Sequence, residues 1–374
     1  MNILVITPDY PDKYKVLYPF VKQLVDEFAR QGHYCYVVAP YSITKNKRRY
    51  QEIEKESDNI TIYRPNHLSF SNYKIGAFSP SLFFRQNAIK RALKQLPVKP
   101  DVVYCHFWEC GLEGYQYAKK NNIPLIVASG ESNIATLLKN KRVPADIKDV
   151  VKGVVCVSTK NKEESISLGL TTEDKCFVKP NAVNNNLFKK LDKAECRKEL
   201  GFPQDAFIVS FVGAFIERKG VMRVSEAIKQ ISGEPVYSCF IGRGAQNPDC
   251  DNILFKGGLR HEEIPLYLNA SDAFVLPTLA EGCCNAIVEA MACGLPVISS
   301  NLPFNWDVLD DENSIMVDPK DVNAIANAIE KLRDDNQLRD QMAASSLQKA
   351  QSLTIDQRAK AIIDFMIQKM LHNG

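Results

Sequence analysis

At 374 residues, with 45% hydrophobic and 24% charged side chains, the chain has the make-up of a soluble globular protein and is too long for one compact core, which suits two domains. The net charge of +3 conceals an asymmetry. Residues 1–185 carry 27 Lys and Arg against 18 Asp and Glu, and residues 186–374 carry 20 against 26, so a basic half suited to anionic surfaces or phosphate-bearing ligands precedes an acidic one.

No apolar run approaches the roughly 20 residues that cross a bilayer, and Met1 to Ile6 passes straight into a strand without the pattern of a leader, which predicts a cytoplasmic chain. The eleven cysteines are odd in number, lie largely in apolar runs (Cys35, Cys105, Cys156, Cys239) and form no C-x-x-C pair, which argues against a disulfide framework and against structural zinc. The basic residues do not interleave with aromatics, so no nucleic-acid partner is expected.

In chain order, Asn2 to Thr7 reads as a strand running into the turn-rich stretch Pro8 to Pro11. From Tyr18 to Arg30, Phe20, Val21, Leu24, Val25 and Phe28 share one helical face, Gly32 ends the helix, and Tyr34 to Ala39 is the next strand, a βαβ opening. Residues 42–58 are polar, with Lys45, Lys47, Arg48 and Arg49 before an acidic run, and read as a solvated loop. Ser81 to Leu96 has the pattern of an amphipathic helix, with Leu82, Phe83, Ala88, Ile89, Leu93 and Leu96 inward while Arg85, Lys90, Arg91 and Lys94 supply positive charge. A sheet-covering helix is favoured over a membrane-surface one. Asp101 to His106 is a buried strand with His106, Phe107 and Trp108 at its carboxyl end, where open α/β sheets bind ligands. Strands at Pro124 to Ala128 and Gly153 to Ser158 follow, and the Asn- and Pro-containing run from Lys179 places a domain linker near 182–195.

The second half restarts with a strand from Phe207 to Val212, ending in Gly213, and continues through Glu217-Arg218-Lys219-Gly220 into a helix. Two cations at a helix N-terminus oppose the helix dipole, which points to an anionic ligand between them. Val236 to Ile241 ends in Gly242-Arg243-Gly244 and lacks the third glycine of a dinucleotide fingerprint. Asp249-Cys250-Asp251 spells a D-x-D in a polar loop, read as coincidence. Leu276 to Ser300, LPTLAEGCCNAIVEAMACGLPVISS, is then a strand, a small-residue loop, a helix from Asn285 and a second strand. Its loop leaves backbone N–H groups open at the positive end of the helix. Singly, Glu281 and Glu289 read as a cap and a surface residue. Together, in apolar surroundings, with Glu289 on the helical face of Asn285, they point to a site. Cys283 or Cys284, at this helix N-terminus, is expected to have a lowered thiol pKa and to alkylate. Helices at Val322 to Leu332, Ala343 to Ala350 and Ile355 to Leu371 close the chain.

This stretch resembles the retaining glycosyltransferases of family 4 (glycosyl transferases group 1), whose signature is P-S-x-x-E-G-x-x-N-x-x-x-E-A-M-A-x-G-x-P-V with E-x7-E inside it. The resemblance implies an α/β fold of the GT-B type: two facing Rossmann-like domains, residues 1–185 for the acceptor and 186–355 for a nucleotide sugar, with 356–374 a last helix crossing back to the first. By position it places Glu281 near the donor sugar and Glu289 on the ribose. The loop of Gly282, Cys283, Cys284, Asn285, Ala286 and Ile287 then contacts sugar and phosphate, while Gly213, Gly242 and Leu259 line the nucleotide. Lys219 matches the lysine that clamps the diphosphate. Ala214 stands where an arginine is usual, so Arg218 is expected to substitute. Departures also appear: Lys13 to Leu17 replaces a Gly-Gly loop, and Gly130 replaces a histidine that contacts the donor sugar, leaving Glu131 or His106 to take that role.

The expected function is therefore a retaining glycosyltransferase that moves a sugar from a UDP- or GDP-linked donor to the hydroxyl of a sugar or lipid-linked sugar acceptor, in polysaccharide or glycolipid assembly. Glu281, Lys219, Arg218 and His106 are its catalytic candidates, and no metal or separate cofactor is expected. The basic N-terminal half suits peripheral contact with the anionic inner membrane face. Two rivals stand beside this reading: another enzyme of the same fold, such as an epimerase or phosphorylase, and a catalytically altered nucleotide-sugar-binding protein.

Overall fold

A computed structural model describes residues 1–12, 17–45, 49–71, 73–74, 76, 78–139 and 141–371. The chain divides into two compact units, the first comprising Met1–Val157, Asn161–Lys179 and the last helix from Asp356, the second Ser158–Lys160 and Pro180–Ile355. The boundary falls at Lys179/Pro180, ahead of residue 185, because the segment after Pro180 is tied into the second unit. Asn181 bonds to Asn285, and Val183 forms a bridge with Thr354.

In the first unit the strands are β1 (Asn2–Ile6), β2 (Tyr34–Val38), β3 (Tyr41–Ser42), β4 (Ile53–Ser57), β5 (Ile60–Tyr63), β6 (Asn66–His67), β7 (Val102–His106), β8 (Leu125–Ser129), β9 (Val151–Cys156) and β10 (Cys176–Val178). Eight of them form one sheet in the order β10-β9-β8-β7-β1-β2-β5-β4, parallel except for β4. Strands β1, β7 and β8 are almost wholly buried, as expected of a parallel sheet covered on both faces. The solvated loop expected over residues 42–58 contains a strand instead. Every side chain of β4 is exposed, so the antiparallel edge strand carries no alternation of apolar and polar residues to betray it. The expected helix at Ser81 to Leu96 runs over Pro80–Leu93, with Ala88, Ile89, Ala92 and Leu93 buried. Phe83, expected inward, is exposed. The Lys13–Leu17 loop lies outside the described residues but for Leu17.

The last helix, Ile355–Leu371, stacks Phe365 on Phe177 at 5.2 Å between centroids, and Arg358 Nη1 donates to the Lys179 carbonyl at 2.6 Å. Phe365 lies so close to Gly153 that any Cβ there would stand 2.6 Å from its ring.

The second unit has strands β11 (Phe207–Val212), β12 (Val236–Ile241), β13 (Ile253–Gly257), β14 (Ala273–Leu276), β15 (Val297–Ser300) and β16 (Ser314–Val317) in a parallel sheet ordered β13-β12-β11-β14-β15-β16. Numbered from its own first strand, this is 3-2-1-4-5-6. The order reverses between β11 and β14, and the crevice beyond the carboxyl ends of those two strands is where such sheets take ligands.

Candidate active site

Of the residues singled out in the second unit, Arg218, Lys219 and Glu281 meet at that reversal. After β11 the chain makes a single helical turn, Glu217–Lys219, that presents Arg218 and Lys219. After β14 it enters the loop that carries Glu281. The two loops are stapled together: the Leu279 N–H donates to the Arg218 carbonyl at 2.8 Å, and Arg223 Nη2 donates to the Pro277 carbonyl at 3.0 Å. Gly220, at φ 83°, lets the turn pass this wall, since a Cβ there would stand 2.7 Å from the Pro277 oxygen. From β15, Ser299 Oγ donates to the Leu276 carbonyl at 2.8 Å and fixes the end of β14.

Glu281 is the centre of this arrangement. Its Oε1 lies 2.6 Å from Arg218 Nη1 and 2.7 Å from Lys219 Nζ, and accepts from Thr278 Oγ1 at 3.1 Å. Arg218 also donates to the Ala280 carbonyl. Burial works against the charge of Lys219, but the neighbouring Cys284 and Glu281 outweigh it and its pKa is raised, so the ammonium is held charged. Two cations converge on one carboxylate at the mouth of the sheet. Such a pair can receive a diphosphate and stabilise it as it departs.

The helix expected from Asn285 runs Asn285–Ala292. Asn181 Nδ2 donates both to the Cys283 carbonyl at 2.9 Å and to Asn285 Oδ1 at 2.7 Å, which sets the loop against the helix start. In the sequence Asn181 stands out only as part of a domain boundary. Its one signal was the adjoining Pro180, which marks a fixed turn. Glu289, one turn into the helix, has a partner that the sequence did not announce: His261 Nε2 lies 2.9 Å from its Oε1, and the imidazole packs against Phe188 at 5.0 Å. Burial lowers the pKa of His261, but the bond and charge of Glu289 overcome that and raise it.

Gly213 and Gly242 stand at the ends of β11 and β12. Their backbones approach so closely that a Cβ on Gly242 would meet the Gly213 oxygen at 1.8 Å, which leaves no room for a side chain. Leu259 is half-buried just after β13. Gly282, Cys283 and Cys284 are buried, while Ala286 is half-buried and Ile287 buried on the helix. The expectation of a lowered thiol pKa is not met at Cys284. Burial raises the pKa of Cys284, and the nearby Lys219, 3.9 Å from its sulfur, only offsets it in part. Asp249 of the D-x-D pairs with Lys229 at 2.8 Å.

In the first unit the sheet order reverses between β1 and β7, and His106 stands at the carboxyl end of β7. It is buried among the rings of Phe20, Tyr104 and Phe107, and no partner reaches its Nε2 among the described residues. Burial, with the charge of Arg358, lowers its pKa to about 3, which keeps the imidazole neutral near pH 7 and packed among aromatic rings and argues against an acid or base role there. Glu131, the other candidate for the role of the histidine replaced by Gly130, is buried. Its carboxylate turns inward, accepting the Trp108 N–H at 2.5 Å and Ser129 Oγ–H at 2.9 Å, and so caps the helix Phe107–Asn121. Beside Gly130 the space is filled by Val157 and the Phe107 ring, 3.3 and 3.5 Å from where a Cβ would stand. Phe107 itself has φ 71°, a left-handed backbone that a bulky residue adopts only under constraint. A polar cavity of about 1150 Å³ opens at this carboxyl edge, lined among others by Asp9, Tyr41, Lys45, Arg64, Arg85 and Lys141.

Comparison with known proteins gives the family. The family model described as Glycosyltransferase Family 4 matches residues 20–187, and that described as Glycosyl transferases group 1 matches residues 192–349. The chain is 26% identical over 355 residues to a putative teichuronic acid biosynthesis glycosyltransferase, TuaC, of Bacillus subtilis, covering 88% of each chain. It is 28% identical over 263 residues, 64% of this chain and 68% of the other, to an Escherichia coli galactosyltransferase named for UDP-Gal and α-D-GlcNAc-diphosphoundecaprenol. Among solved structures, a sucrose-phosphate synthase from Thermosynechococcus elongatus superposes with a TM-score of 0.80 at 20% identity over 100% of both chains. HepE of Anabaena, solved in complex with UDP-glucose, gives 0.73 at 18% identity over 98% of this chain and 99% of that one. The two family models between them take in both units, and the chain is an enzyme of the GT-B fold that belongs to glycosyltransferase family 4.

Proposed function

We propose that this glycosyltransferase moves a sugar, with retention at its anomeric carbon, from a nucleoside-diphosphate donor to an acceptor hydroxyl. The observation that carries the reading is the convergence of Lys219 and Arg218 on Glu281 at the reversal point of the second sheet. A departing diphosphate gathers negative charge as the sugar–phosphate bond stretches, and two fixed cations with the amides ahead of Asn285 meet that charge without reorganising. Acceptor attack on the face the diphosphate leaves, with a phosphate oxygen taking the hydroxyl proton, would need no dedicated protein base and no metal. A UDP-linked donor is favoured, since HepE was solved with UDP-glucose and the E. coli relative is named for UDP-Gal. The same relative is named for a diphosphoundecaprenol-linked sugar, which supports a sugar or lipid-linked sugar as acceptor and glycan assembly at a membrane face as the setting.

The test is transfer from UDP-, GDP- and ADP-sugars to free and lipid-diphosphate-linked sugars, with and without EDTA, with the product anomer read by NMR. Transfer from a UDP-sugar that survives EDTA and retains the anomeric configuration is expected. An inverted product would sink the retaining mechanism, and loss of transfer in EDTA would sink the metal-free one. Conversion of the donor sugar without acceptor would favour the epimerase rival, and UDP binding without turnover on any acceptor would favour the binding-protein rival.

A further inference from the structure

The segment leading into the helix Pro80–Leu93 has two faces of opposite character. Ser69, Ser71, Ser79 and Ser81 line the polar cavity of the first unit. Between and beside them, Phe70, Phe78, Phe83 and Phe84 leave 37–48% of their surface open to solvent. The four rings form a continuous row: Phe70 to Phe84 at 6.0 Å, Phe84 to Phe83 at 5.6 Å, and Phe83 to Phe78 at 5.7 Å. This row is built rather than loosely placed. Ser81 Oγ accepts the Phe70 N–H at 2.8 Å and donates to the Ser71 carbonyl at 3.2 Å, and Ser79 caps the helix through the Leu82 N–H. A cluster of this kind on a water-facing surface marks a place where something binds.

The charges around the row indicate what binds. From Asn59 to Pro100 the sequence contains no Asp or Glu. Lys74 is exposed in the same segment, and Lys90 and Arg91 are exposed two turns after Phe83 and Phe84, on the same helical face. Aromatic rings at one end of a stripe and unopposed cations at the other match a bilayer surface, where rings enter the headgroup region and cations meet anionic phosphates. A protein partner would favour mixed charge at the rim.

We propose that the Phe70, Phe78, Phe83 and Phe84 row, together with Lys74, Lys90 and Arg91, is the surface by which this chain docks on an anionic lipid bilayer. The inference takes its setting from the lipid-linked acceptor of the proposed function. Docking here would bring the cavity edge, which shares this segment, to the membrane surface where such an acceptor resides.

The test is co-sedimentation of the full chain, without donor, with vesicles of phosphatidylcholine alone and of phosphatidylcholine with phosphatidylglycerol. Binding to the anionic vesicles, weakened by salt, is expected. Phe83→Ser with Phe84→Ser should reduce it roughly 10-fold or more, and Lys90→Ser with Arg91→Ser by a similar factor while removing most of its salt dependence. All four positions are exposed, so melting temperatures should match the parent. Transfer to a water-soluble acceptor should also match it, and that assay separates the two readings: its failure in the parent would count against the transferase proposal and leave the vesicle result standing. Failure of the parent to bind anionic vesicles, or equal binding by the Phe83/Phe84 variant, would overturn the docking surface. So would a dimer of the parent that the same variant dissociates, which would assign the row to a second copy.

Discussion

Lys219 Nζ lies 2.7 Å from Glu281 Oε1, although 62 residues separate them in the chain, because a backbone bond from Leu279 to Arg218 and the Arg223 side chain join the loops after β11 and β14 at the point where the sheet order reverses. A diphosphate arriving at Lys219 and Arg218 must therefore compete with the Glu281 carboxylate. This gives the two sides of the pair opposite signatures. Lys219→Ala should lower turnover on the order of 100-fold or more and weaken UDP binding. Glu281→Gln should lower turnover by a similar order yet leave UDP affinity unchanged or tighter by up to about 10-fold, since a competing charge is gone. Calorimetric titration with UDP beside steady-state rates checks both. Weaker UDP binding by the glutamine variant would show that Glu281 supports the diphosphate rather than opposing it.

The sequence made this centre legible because each residue sits in a short, dense motif at a strand end, where spacing alone fixes the side of the sheet. Partners that arrive from distant segments were not legible. His261 reaches Glu289 from before the helix Ile264–Ala270, and Asn181 reaches Asn285 across 104 residues. Neither belongs to a periodic pattern, and only the closed sheet brings them together. In the same way β4 is hidden because its side chains are all exposed, and Glu131, a candidate for a sugar-contacting role in the sequence, is turned inward by the fold to cap a helix.

The His261–Glu289 pair gives a pH signature with a definite sign. The folded pKa of His261 is raised, so its contribution is fully present below the unfolded value of about 6.5 and is lost as pH rises through the folded value. The pair is mostly buried, so the loss should be readable as a fall in melting temperature on the order of a few °C. Between pH 6 and pH 8.5 the parent should lose about that much relative to Glu289→Gln. Parallel melting curves across that range would show that the pair contributes nothing.

For His106 the sign is reversed. Its folded pKa of about 3 lies below the ordinary value, so the stability tied to its neutral form is present above pH 6.5 and is lost as pH falls towards 3. By pH 5 the loss is about 2 kcal/mol. Denaturant unfolding at pH 7 and pH 5 should show it in the parent and not in His106→Gln. NMR should also find the imidazole unprotonated at pH 5.5. Turnover of the glutamine variant should fall by a constant factor from pH 5.5 to 8.5, because a group that stays neutral throughout gives the rate no titrating limb. A limb near pH 6.5 that vanishes in the variant would restore an acid or base role.

Thiol chemistry offers a check that needs no substrate. Of the eleven cysteines, ten are buried, and Cys284 has its thiol pushed up by burial despite its place beside Lys219. Cys176 is the exception. It is half-buried, and hydrogen bonding from Cys156 lowers its thiol pKa against the opposing effect of burial. Thiolate fraction and access together govern alkylation, and both favour Cys176. Limited iodoacetamide treatment at pH 7.5 followed by peptide mapping should find label at Cys176 first. Label at Cys283 and Cys284 should trail it by on the order of 10-fold or more, as expected when a buried thiol reacts only through transient opening. UDP should then leave the Cys176 rate unchanged, because that residue belongs to the first unit and the two cations lie in the second. Early labelling of Cys284, slowed by UDP, would mean that the loop ahead of Asn285 opens readily and that its sulfur carries more thiolate than its burial allows.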